Sequence, residues 1–96
     1  MKYFHRTALG PDAVLEEAEQ FFGAVLEPVE QGARSRTFRG TIGTITLDVR
    51  AEGGHYTLIT ATTDQVAESE ADKSVKRFLG TVHTRAEPSH ALRGAY

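Results

Sequence analysis

The sequence predicts a small α+β domain: an antiparallel meander of three to four strands with two helices packed on one face, in the order β-α-(β)-β-β-β-α. Three observations predict it. Residues 44–52 alternate Thr44, Thr46, Asp48, Arg50 and Glu52 with Ile45, Leu47, Val49 and Ala51, the period-2 rhythm of a strand with one dry face. Gly53-Gly54 separates that run from a second β-rich run, which signals a hairpin. Two segments with apolar residues at helical spacing flank the meander, and each needs a surface to cover.

Taken in order, Lys2-Tyr3-Phe4-His5-Arg6-Thr7 is short and aromatic, a strand expected to join the sheet edge. Tyr3 and Phe4 are adjacent, so they point to opposite faces, and one of them meets solvent or is covered from outside the chain. Gly10-Pro11-Asp12 opens the first helix, with proline in the first turn and Asp12 at the positive end of the dipole. Val14, Leu15, Ala18, Phe21 and Phe22 form its apolar stripe. Gly23 is expected as a left-handed C-cap, which bounds the helix to about residues 11–22. Residues 24–30 carry Val25, Leu26 and Val29 around Pro28, a loop or a short edge strand because proline lacks a ladder donor.

The meander follows. A two-residue turn at Thr41-Ile42 would pair Phe38 with Ile45, although a type I′ turn there would strain a β-branched residue at positive φ. A longer loop or a glycine bulge would serve as well. For the second hairpin, a type I′ turn at Gly53-Gly54 pairs Glu52 with His55, Ala51 with Tyr56, Val49 with Leu58 and Leu47 with Thr60. Ser69-Glu70-Ala71-Asp72 then resembles a capping box. Ala71, Val75, Phe78, Leu79 and Val82 make the second helix's stripe, with Asp72–Lys76 as an i, i+4 pair. Gly80 costs about 1 kcal/mol relative to alanine, and is expected where the helix approaches the sheet or ends. Pro88 stops the helix, so residues 1–88 form one domain and residues 89–96 a mobile tail.

The chain has 96 residues, 40% hydrophobic and 25% charged, an ordinary globular balance with room for one modest core. Such a chain gains from an oligomer interface. No apolar run approaches the roughly 18 residues of a membrane span, and no signal peptide opens the chain. With no cysteine, thiolate chemistry and cysteine-based zinc sites are excluded, and a cytoplasmic location is expected. The absence of asparagine and tryptophan fits a thermophilic source. A net charge of −2 argues against a dedicated nucleic-acid binder.

No chemical motif rises above background. His5, His55, His83 and His90 are not spaced as metal ligands, and no metal or cofactor is expected. Asp64, Glu68, Glu70 and Asp72 cluster at a helix start that reads as solvated. Gly40-Thr41-Ile42-Gly43 lies between strands, so it is no phosphate loop. The serines lack a nucleophile-elbow context.

Two functional readings follow. On the expected register, the sheet's second face shows Thr37, Arg39, Thr44, Thr46, Asp48, Arg50, Thr57, Ile59, Ala61 and Thr63. The flat, uncharged area at Thr44, Thr46, Ile59 and Ala61 is either solvated or stacked against another copy. It carries no exposed aromatic for base stacking, so no RNA is expected there. The preferred reading is a non-enzymatic binding module that forms a homodimer through this face. The alternative is a small-ligand carrier or minimal enzyme, in which Arg36, Thr60, Thr62 and Arg34 hold a small anionic or apolar ligand between a helix and the sheet. The order helix, meander, C-terminal helix is loosely similar to helix-grip ligand-binding folds, in a chain too short for a full one.

Overall fold

The computed structural model describes residues 1–86; the tail expected at residues 89–96 lies outside them, as do the last two residues of the domain expected at 1–88. Alternation in the meander lays down β3 (Ser35–Gly40), β4 (Gly43–Glu52) and β5 (Tyr56–Thr63). Edge strands β1 (Lys2–Thr7) and β2 (Glu27–Gln31) extend it. The sheet therefore has five strands and not three to four, all antiparallel, in the order β1-β5-β4-β3-β2. Helices α1 (Pro11–Gly23) and α2 (Glu70–Ala86) cover one face, giving a two-layer α+β fold. Neither is long and apolar enough to cross a membrane.

The first hairpin pairs Phe38 with Ile45 and Gly40 with Gly43 around Thr41-Ile42. Neither Thr41 nor Ile42 has positive φ; Gly43 takes that conformation instead, at φ 125°. A side chain at Gly43 would stand 2.7 Å from Asp64 Oδ1, the atom that accepts the Thr44 N–H at 2.9 Å. Glycine is required there on both counts.

The second hairpin is one residue longer than expected. Gly53 and Gly54 have the positive φ values a tight turn needs, 60° and 75°. His55 joins them in the turn, so Glu52 pairs with Tyr56, Arg50 with Leu58, Val49 with Ile59 and Leu47 with Ala61. A slip of one residue turns a whole strand over. Thr57, Ile59, Ala61 and Thr63 face the helices and are buried, while Tyr56, Leu58, Thr60 and Thr62 face the other way.

The core is built on three rings. Phe22 of α1 packs at 5.4 Å from Phe38 of β3 and 5.0 Å from Phe78 of α2, so one aromatic cluster joins both helices to the sheet. Val14, Leu15, Ile45, Leu47, Ile59 and Val75 close around it. Two glycines depart from expectation. Gly23 stays helical and Ala24 caps the helix in a right-handed conformation. The chain turns there because Val25 and Leu26 both donate to the Phe22 carbonyl, at 3.1 and 2.7 Å, which brings Leu26 back into the core. Gly80 neither approaches the sheet nor ends the helix; it is exposed, with open space around it among the described residues.

The outer edge at β2 is blunted. Pro28 lacks a donor, and a bulge between Pro28 and Glu30 breaks the ladder at Val29.

Candidate interaction surface

The arginine–threonine cluster does not form. Arg36 pairs with Leu47 and so lies on the helix side, whereas Thr60 and Thr62 lie on the opposite face. Arg36 sits in a notch of about 250 Å³ with Glu19, Gly23, Pro28, Gln31 and Phe38. Its Nε donates to Glu19 Oε1 at 2.8 Å, and Nη1 donates to the Gly32 and Ser35 carbonyls, both at 2.7 Å. A guanidinium already held by a carboxylate and two carbonyls acts as a brace from β3 to α1. Arg34 lies just before β3 and reaches Asp12 at 3.3 Å, well away from the threonines' face.

The expected interface is half corrected. Thr44 and Thr46 lie on the helix-free face, but Ile59 and Ala61 are fully buried in the core. Their places are taken by Leu58 and Thr60. β1 adds Lys2, Phe4 and Arg6, paired with Thr62, Thr60 and Leu58. Tyr3 turns toward the helices and Phe4 away from them, so Phe4 is 64% exposed; Tyr56 is 56% exposed on the same face. This face therefore carries two exposed aromatics, contrary to the expectation drawn from the slipped register. A shallow depression of about 260 Å³ lies here, lined by Phe4, Asp48, Val49, Arg50, Leu58 and Thr60.

Two adjacent cross-strand rows frame the depression. One runs Arg6–Leu58–Arg50 and the other Phe4–Thr60–Asp48–Ser35. Arg6 Nε donates to Glu52 Oε1 at 2.7 Å and Arg50 approaches Glu52 Oε2 at 3.3 Å, which holds the Glu52 carboxyl below the usual range. Asp48 has no cationic partner among the described residues. The face mixes both signs: Lys2, Arg6, Arg39 and Arg50 stand against Glu27, Glu30, Asp48 and Glu52.

A second cluster lies at the start of α2, where the acidic residues are expected to be solvated; Asp64, Glu68 and Glu70 are exposed, but Asp72 is not. Asp72 is fully buried, and it accepts from the Tyr3 hydroxyl, from the Glu68 N–H at 2.9 Å and from Lys76 at 3.2 Å. The Ser69 Oγ accepts the Asp72 N–H at 3.2 Å, so the capping box is half made. Its return arm goes to Glu68 instead of Ser69, and Glu68 adopts a left-handed φ of 67°. The Tyr3 hydrogen bond above all holds the Asp72 carboxyl below its ordinary value. The same bond raises Tyr3, and the bond to Asp72 raises Lys76. Each group is driven further into the protonation state it already has at neutral pH. General acid–base catalysis needs the reverse, a group poised near the working pH. The cluster latches β1 to α2.

Between the same two elements, the rings of His5 and His83 meet edge to face at 6.3 Å. His5 Nε2 is buried with no hydrogen-bond partner among the described residues, and desolvation first, then His83, lowers the His5 pKa. His55 is an exposed turn residue, and His90 lies outside the described residues. No group of three or more histidine, cysteine or carboxylate side chains among the described residues could hold a metal ion. No protein-family model matches the chain, and no curated protein matches it either.

Proposed function

We propose that this chain is a non-enzymatic interaction domain that self-associates through the helix-free face of its sheet. One observation carries the reading. The side of β5 turned away from the helices bears half-buried Leu58 and exposed Tyr56, and Phe4 of β1 joins Leu58 in lining a depression that no helix or strand among the described residues covers. Five strands at about 4.8 Å spacing and roughly seven residues long make a face about 24 Å on each side, roughly 580 Å² in projection, somewhat under the ~800 Å² each partner buries in a standard interface. The mixed charge of the face favours a partner of equally mixed charge, which another copy supplies. Sedimentation equilibrium tests this. The wild-type chain is expected to run as a concentration-dependent dimer, and Phe4→Ser as a folded monomer. A wild-type chain that stays monomeric at millimolar concentration would refute it.

A further inference from the structure

Resting on that reading, we infer that the second copy docks about a two-fold axis lying across the strands, between the Arg6–Leu58–Arg50 row and the Phe4–Thr60–Asp48 row. The rotation exchanges the two rows. Arg50 then lies over the partner's Asp48, Leu58 over the partner's Thr60, and Arg6 over the partner's Phe4, each contact made twice because the interface is isologous. Asp48, which has no cationic partner within its own fold among the described residues, receives one. Arg6 gains an aromatic face, the arrangement of a cation–π contact. The next rows out match as well: Thr62 lies over the partner's Tyr56 and Thr46 over the partner's Glu52. Strands crossing at a small angle in this way are the aligned packing that twisted sheets prefer.

The competing axes are worse on charge. A two-fold axis running along β4 sets Asp48 on Asp48 and Arg50 on Arg50. Moved over to β5, it sets Arg6 on Arg50 and Phe4 on Asp48. Like charges opposed in an interface are strongly unfavourable, so the axis across the strands is favoured over both of these, and it is the one that gives Asp48 a cation.

The test is a charge exchange at two outward-facing positions, read by sedimentation equilibrium with circular dichroism confirming the fold. Asp48→Arg and Arg50→Asp are each expected to weaken dimerisation by on the order of tenfold or more, since each single change opposes like charges twice. The double variant D48R/R50D is expected to recover most of the wild-type affinity, because the exchanged pair is again complementary. A wild-type dimer left unchanged by both single variants would overturn the axis while leaving self-association through this face in place. So would a double variant no tighter than either single one. A wild-type monomer would overturn both.

Discussion

Gly80 shows how a single residue can be left unoptimised. It sits exposed inside α2 with nothing among the described residues near the place a Cβ would occupy, and its φ is not positive. Gly80→Ala is therefore expected to stabilise the domain by about 1 kcal/mol, seen as a higher denaturant midpoint with an unchanged slope. Gly43 is the opposite case. Its φ of 125° and the 2.7 Å approach of Asp64 and Gln65 leave no room for a side chain. Gly43→Ala is expected to cost about 1–3 kcal/mol by the same measurement. Both residues are simply glycine in the sequence. The turn at Gly43 was legible, because β-rich runs bracket it. The freedom at Gly80 was not, since a glycine in a helical pattern looks the same whether it faces a sheet or water.

Among elements, the contact of β1 with α2 concentrates the buried polar chemistry. Asp72 has a lowered pKa, so its contribution to stability is fully present above the unfolded value of about 3.9 and is lost as pH falls through the depressed folded value. Tyr3→Phe removes the largest cause of that depression. The acid-unfolding midpoint followed by circular dichroism is expected to move to higher pH. His5 acts nearer neutrality. The fold holds it neutral, so as pH falls the unfolded chain binds the proton first. Stability is then complete above about 6.5 and declines below it, until the lowered folded pKa is passed. Melting temperatures measured across that range should fall on acidification in the wild type, and less in His5→Phe. The latch was half legible: the Ser69 cap and the Asp72–Lys76 spacing could be read directly. Tyr3 sits 69 residues away from Asp72, and no local pattern joins them.

The same distinction explains the two hairpins. Across β3 and β4, Phe38, Ile45, Leu47 and Val49 all fall on one face, so only one register buries them. β5 is apolar on both sides, with Tyr56 and Leu58 on one and Ile59 and Ala61 on the other. A Gly-Gly turn accommodates either two or three residues. What decides it is tertiary: Ile59 fits beneath the helices, and Tyr3, paired beside Ala61, must point toward Asp72.

At the scale of the whole molecule, a domain of this size has a stability of only about 5–15 kcal/mol, and its three-ring core is a large share of that. Phe78→Ala, which removes the ring linking α2 to α1, is expected to cost about 3–5 kcal/mol and leave the chain close to unfolded. The helix-free face carries no such burden, so it can hold exposed Phe4 and Tyr56 without threatening the fold, and a second copy can cover them. The orientation of β5 decides both the core and the proposed docking surface. Sedimentation velocity on Leu58→Asp beside Ile59→Asp tests it most directly, because one profile reports mass and compactness together. Leu58→Asp is predicted to sediment as a compact monomer and Ile59→Asp as an expanded, unfolded or aggregated chain. A compact Ile59→Asp, or a Leu58→Asp that still runs as the wild-type dimer, would contradict the account.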